Sequence, residues 1–104
     1  MSERQRLPNR RPAESFNIEV AGLHYTVTVG MVTGKPVEVF ISNHKAGNAS
    51  DVAARDVGIR VSLLLQYGCA IEMIAHAISR NGDGSASSVV GAMIDEIIAG
   101  RERR

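Results

Sequence analysis

One cysteine, no tryptophan and only four other aromatic rings set the first limits on what this chain does. Cys69 stands alone, so no disulfide framework forms within the chain, and a reducing cytoplasm is the expected compartment. Phe16, Tyr25, Phe40 and Tyr67 are scattered, whereas single-stranded nucleic-acid binders stack bases on a platform of rings. His24, His44 and His76 form no i,i+4 pair and there is no Cys-x-x-Cys, which argues against a zinc site. No apolar run approaches the roughly 18 residues of a membrane span. The arginines near the N-terminus have no apolar segment behind them, so no secretory signal is expected.

A length of 104 residues gives one domain. A chain this short buries only about 60–65% of its unfolded surface, so a partner or a second copy is expected to complete its core. The net charge of +1 is unevenly spread: residues 1–12 carry +3, residues 101–104 carry +2, and residues 13–100 carry −4. An acidic body with two arginine-rich ends is not a basic nucleic-acid-binding face. The ends read as solvated and mobile. The expected organisation is a disordered basic arm over 1–14, a single domain over 15–100 and a basic tail over 101–104.

The patterning divides the domain in two. Phe16, Ile18 and Val20 alternate with Asn17 and Glu19, the mark of a half-buried strand. Ala21-Gly22 makes a tight link. Leu23, Tyr25, Val27, Val29 and Met31 alternate with His24, Thr26, Thr28 and Gly30. After a turn at Thr33-Gly34-Lys35-Pro36, Val37, Val39 and Ile41 alternate with Glu38, Phe40 and Ser42, which turns Phe40 away from the apolar face. Short links make these three strands an antiparallel meander. The remainder reads as helical. A first helix is capped by Asn48 or Ser50, has Asp51 in its first turn, and ends near Gly68. Asp51–Arg55 and Asp56–Arg60 are i,i+4 pairs on its outer side, with Val57, Val61 and Leu63-Leu64-Leu65 inward. A second helix spans about 70–79, with Ile71, Ile74 and Ile78 inward. A flexible loop, Asn81-Gly82-Asp83-Gly84-Ser85, leads to a third over about 87–99, carrying Val90, Met93, Ile94, Ile97 and Ile98 and stopped by Gly100. The fold class is α+β: a three-stranded antiparallel meander followed by three helices packed on one sheet face. The apolar, aromatic-poor helices suggest a homodimer.

Little of this sequence carries catalytic chemistry. The 81–85 loop has no carboxylate twelve positions on, as a calcium-binding loop requires. Asp95 and Glu96 are neighbours that point about 100° apart on a helix and make no acid/base pair. Cys69 reads as a small buried hydrophobe. The stretch Ser42–Ser50 is the most informative. It joins a strand end to a helix N-terminus, where free backbone N–H groups and the positive dipole end favour an anion. Asn43, His44, Lys45, Gly47 and Asn48 are therefore the candidate anion- or partner-binding residues. A capped connector is the plainer alternative. The Gly-Lys-Ser/Thr ending of a P-loop is missing.

Several segments together carry a resemblance: Thr26-Val27-Thr28-Val29-Gly30, Pro36-Val37-Glu38-Val39-Phe40-Ile41, Lys45-Ala46-Gly47 and Leu63-Leu64-Leu65-Gln66-Tyr67-Gly68. From roughly Phe16 to Ala99 the chain resembles the TSCPD domain, found toward the C-terminal end of adenosylcobalamin-dependent (class II) ribonucleotide reductases and in short stand-alone proteins. The Thr-Ser-Cys-Pro-Asp motif that names the family is missing here. The resemblance implies a link to ribonucleotide reduction and deoxyribonucleotide synthesis. It does not imply catalysis by this chain, because the reductase uses a thiyl-radical cysteine and a redox pair of thiols, and one cysteine cannot supply all three. The expected function is a non-catalytic accessory or regulatory module that binds a protein partner or itself. A C-terminal part of a split ribonucleoside-diphosphate reductase is one alternative. A nucleotide- or nucleic-acid-binding regulator is the other. No cofactor bound by this chain is expected, adenosylcobalamin entering only by association with a reductase subunit.

Overall fold

A computed structural model describes residues 3–45 and 47–102. Met1 and Ser2 of the expected arm, Ala46 of the connector, and Arg103 and Arg104 of the expected tail lie outside the described residues. The order of elements is β1 (Ala13–Val20), β2 (Leu23–Val32), β3 (Lys35–Asn43), α1 (Ala49–Gln66), α2 (Ile71–Ala77) and α3 (Val89–Glu102). The three strands form one antiparallel sheet in the order β1-β2-β3, with helices following, as the patterning implied.

Two-residue links make the meander. Ala21 and Gly22 have φ of 53° and 78°, and Thr33 and Gly34 have φ of 50° and 78°. Positive φ at both central residues defines the turn whose twist suits a tight hairpin. Val20 therefore faces Leu23, and Val32 faces Lys35. The register shifts once, between Gly30 and Met31. The inner face holds Tyr25, Val27, Val29, Met31, Val37, Val39 and Ile41, all buried. All of them but Val37 form one cluster with Ala54, Val61, Leu65, Ile71, Ile74, Met93, Ile94 and Ile97 from the helices. Phe40 is 59% exposed on the opposite face.

The buried side of α1 differs from the expected one. It runs through Asp51, Ala54, Gly58, Val61, Leu65 and Gln66, at helical spacing. Leu63 and Leu64 are exposed, because three consecutive leucines span about 200° of a helix and only one of them faces the sheet. Gly58 is on this face because of its proximity to β3: a Cβ there would lie 3.1 Å from the Val39 carbonyl oxygen. The helix ends as its sequence suggested. Cys69 N–H donates to Leu64 O at 2.9 Å and Gly68 N–H to Leu65 O at 3.1 Å, with Gly68 at φ 97°, the hydrogen-bond pair of a Schellman cap.

Two further boundaries are corrected. α2 stops at Ala77, with Ile78 in an extended conformation. α3 continues past Gly100 to Glu102, and Arg101 in its last turn pairs with Glu72 of α2. Glycine lowers helix stability without terminating it, and that ion pair lies beyond it. The 81–85 loop is closed by hydrogen bonds between its ends. Asn81 N–H donates to Ser85 O at 2.9 Å, Asp83 Oδ1 accepts from Ser85 N–H, and Arg80 forms a two-pronged pair with Asp95 of α3, both bonds 2.7 Å.

Candidate functional site

The connector between β3 and α1 places Asn43, His44, Lys45, Gly47 and Asn48 around the start of the helix. The backbone N–H groups that suit an anion are already engaged by side chains of the chain itself. Asp51, expected on the outer side of the helix, is 2% exposed. Its Oδ1 accepts from Asn43 N–H at 3.0 Å, and its Oδ2 accepts from Gly47 N–H at 2.9 Å and from Arg55 Nε at 3.0 Å. Asn48 is the N-cap: its Oδ1 accepts from Asp51 N–H at 2.8 Å. Asn43 Oδ1 accepts from Lys45 N–H at 2.8 Å. The positive end of α1 has thus attracted a carboxylate, as its dipole favours, and the carboxylate is its own. The Gly47 N–H first, then Arg55 and the Asn43 N–H, hold the Asp51 carboxyl below the ordinary aspartate range. Asn43 Nδ2 is buried with no hydrogen-bond partner among the described residues.

The side chains of His44 and Lys45 remain exposed. His44 sits beside His24 of β2, ring centroids 6.0 Å apart and planes 23° apart. Its N–H donates to His24 O at 3.2 Å, and its Nε2 lies 3.2 Å from Thr26 Oγ1. Glu19 is 4.0 Å from the His24 ring. This corner presents two imidazoles, a hydroxyl and an amine to solvent. The pairing of His24 with His44 was not legible from their separation of 20 positions. It follows from the β2–β3 register, which sets Tyr25 opposite Asn43.

A second feature lies at the other end of the outer face. Arg11 Nε and NH2 lie 2.7 and 2.6 Å from Glu38 Oε1. The Glu38 side chain crosses β2 over Gly30, where a Cβ would meet it at 2.6 Å. Further up the arm, Gln5 N–H donates to Gln66 O at 2.6 Å and Arg4 Nε bonds Gln66 Oε1. The segment expected to be a disordered arm therefore makes contacts with both the sheet and α1, and β1 begins at Ala13, inside the 1–14 range. Phe40 stands between two depressions of about 670 and 660 Å³ on either side of it. Arg10 and Thr28 line the first; Arg55, Ile59 and Leu63 line the second.

Cys69 is half-buried, its Sγ 3.7 Å from Ala70 O. Among the described residues no three His, Cys, Asp or Glu side chains are grouped to hold a metal ion. No described helix is long and apolar enough to cross a membrane.

Three antiparallel strands and three helices, with an internally satisfied helix start at α1, make this chain a small α+β domain. Comparison with known proteins is specific about which one. The family model of the TSCPD domain matches residues 4–99, and the chain belongs to that family. It is 35% identical over 78 residues to a vitamin B12-dependent ribonucleotide reductase of Agrobacterium fabrum, a match covering 74% of this chain and 6% of that protein. It is 31% identical over 77 residues to a vitamin B12-dependent ribonucleotide reductase of Rhodopirellula baltica, covering 73% of this chain and 7% of the relative. The matched segment is thus a small fraction of those enzymes. No solved structure matches the chain.

Proposed function

We propose that this chain is a non-catalytic accessory or regulatory module of ribonucleotide reduction that works by binding a protein partner. One observation carries the reading: a domain shared with B12-dependent reductases has here a single thiol, Cys69. Ribonucleotide reduction needs a radical-bearing cysteine and a dithiol that delivers two electrons. On this reading those thiols, the substrate and adenosylcobalamin belong to the reductase, and this chain supplies a surface.

The exposed groups suit that role. His44 and Lys45 project from a connector that Asp51 holds internally, so a partner meets a preformed loop with little ordering cost. Phe40, with Arg10 and Arg55 on either side, offers an apolar anchor with cationic flanks. Aromatic and arginine side chains are those that dominate protein interfaces. The match to a small segment of the reductases also favours a narrower form of the reading, in which the chain supplies that segment in trans to a reductase lacking it.

Affinity capture from extract of the native cell, with mass spectrometry, tests the proposal. Recovery of a ribonucleotide reductase subunit, reduced by His44→Ala with Lys45→Ala or by Phe40→Ala, is the expected result. Capture that recovers no reductase subunit overturns it. A recovered reductase whose own sequence lacks this domain selects the trans form.

A further inference from the structure

The two edges of the sheet are treated differently. The β3 edge is closed by α1. Gln66 Nε2 donates to Val37 O at 3.1 Å, Ser62 Oγ bonds both Val39 N–H and Val39 O at 2.9 and 3.1 Å, and Asp51 takes Asn43 N–H. These four are among the backbone groups that β3 turns away from β2, and side chains of one helix satisfy them.

Among the described residues the β1 edge has no such cover. Val20 and Leu23 flank a two-residue turn, so even-numbered residues of β1 bond to β2 and odd-numbered ones direct their N–H and C=O groups outward. The bond from Met31 N–H to Pro12 O continues the same phase. Among the described residues no hydrogen bond reaches the outward backbone groups of Ser15, Asn17 or Glu19. All three residues are exposed. The strand is eight residues long and contains no proline and no lysine. Its pairing with β2 runs without a register shift. The strand carries two charges, Glu14 and Glu19, but no proline, lysine or bulge blunts it. Phe16, Ile18 and Val20, on the core side of the same strand, are only half-buried.

We infer that two copies of this chain pair antiparallel along β1, Asn17 opposite Asn17, to form one six-stranded sheet. The strand is self-complementary in this register. Ser15 faces Glu19 on the outer side; Phe16 faces Ile18 and Glu14 faces Val20 on the inner side. No like charges stand opposite, and the aromatic–β-branched pairs are of the kind that stabilise antiparallel sheets. Centring the pair on Phe16 sets Glu14 against Ile18 and leaves Val20 without a partner. Shifting by one residue turns Phe16, Ile18 and Val20 toward the polar face. The arrangement is closed and two-fold, which is the commonest symmetry among oligomers. It also extends a core that a chain of this size closes poorly alone.

Sedimentation of the full chain at about 100 µM, with three variants, tests this. The wild type is expected at twice its 11.2 kDa mass. Asn17→Pro removes an outward N–H that β2 does not use, a position where an edge strand accepts proline, and is expected to be a folded monomer by circular dichroism. Should that variant fail to fold, Asn17→Lys keeps the N–H, sets two lysines face to face, and is expected to weaken the dimer on the order of tenfold or more. In a Cys69→Ser background, Asn17→Cys is expected to form a 17–17 disulfide on oxidation, because facing Cα atoms lie about 5.5 Å apart. A monomeric wild type overturns the inference. So does a dimer that folded Asn17→Pro and Asn17→Lys leave unchanged. The pairing stands apart from the reductase link: a monomer that still captures a reductase overturns the dimer alone, and a dimer that captures none overturns the module alone.

Discussion

The Ser62 hydroxyl of α1 holds both free backbone groups of Val39, accepting from its N–H at 2.9 Å and donating to its carbonyl at 3.1 Å. A helix side chain thus stands where a neighbouring strand's backbone would otherwise be. Replacing it leaves two strand-edge groups without partners at a half-buried position. Ser62→Ala is expected to cost about 1–3 kcal/mol, read as a lower urea midpoint with an unchanged slope. A midpoint equal to wild type would mean that water satisfies that edge equally well.

The packing beside Ser62 predicts a second effect. Gly58→Ala gains helix propensity but puts a methyl group 3.1 Å from the Val39 carbonyl. That oxygen is held by Ser62 and its strand is paired with β2, so the backbone has little room to give. The substitution is expected to destabilise the protein despite a propensity gain of up to about 1 kcal/mol. Thermal melting checks the sign.

Asp51 sets an acid limit. Its folded pKa is depressed by the Gly47 N–H, Arg55 and the Asn43 N–H. A depressed carboxylate contributes stability that is complete above its ordinary pKa, near 4, and is lost as pH falls through the folded value. Asp95 is lowered by Arg80 and Glu72 by Arg101 in the same sense. Stability is therefore expected to hold flat above about pH 5 and to fall below about pH 4. Asp51→Asn should be less stable at pH 7 and show a shallower decline below pH 4. Asn48→Ala, which removes only the cap, should cost about 1 kcal/mol and leave the shape of the pH profile unchanged. Denaturant titrations at several pH values separate the two variants.

Gly30 and Glu38 control the N-terminal segment. Gly30→Ala places a Cβ where the Glu38 carboxylate lies, and Glu38 is the partner of Arg11. The expected result is release of the segment before β1, seen as faster tryptic cleavage at Arg10 and Arg11 with the rest of the domain resistant. Unchanged cleavage would mean that Arg4 and Gln5, on Gln66, hold the segment by themselves.

These positions also show where sequence reading was sufficient and where it was not. The strands were legible because alternation from Phe16 to Ile41 and the turns at Ala21-Gly22 and Thr33-Gly34 point to the same meander. The α1 face was legible in part. Hydrophobicity favoured Leu63 and Leu64, but the sheet selected Gly58, Ser62 and Gln66, a small residue and two polar ones, since the helix had a strand edge to satisfy. Asp51 has an ordinary i,i+4 partner in Arg55, and nothing in that spacing reveals that the carboxylate turns inward to Asn43 and Gly47. The connector was rightly read as a helix start rich in N–H groups. Which anion sits there is a tertiary fact.

The central claim is that this domain serves ribonucleotide reduction without performing it. The most direct measurement is deoxyribonucleotide formation by the purified chain supplied with a ribonucleoside diphosphate, adenosylcobalamin and a dithiol reductant, beside its Cys69→Ser variant. The account predicts no product from either protein. Turnover by the wild-type chain that disappears in Cys69→Ser would contradict it.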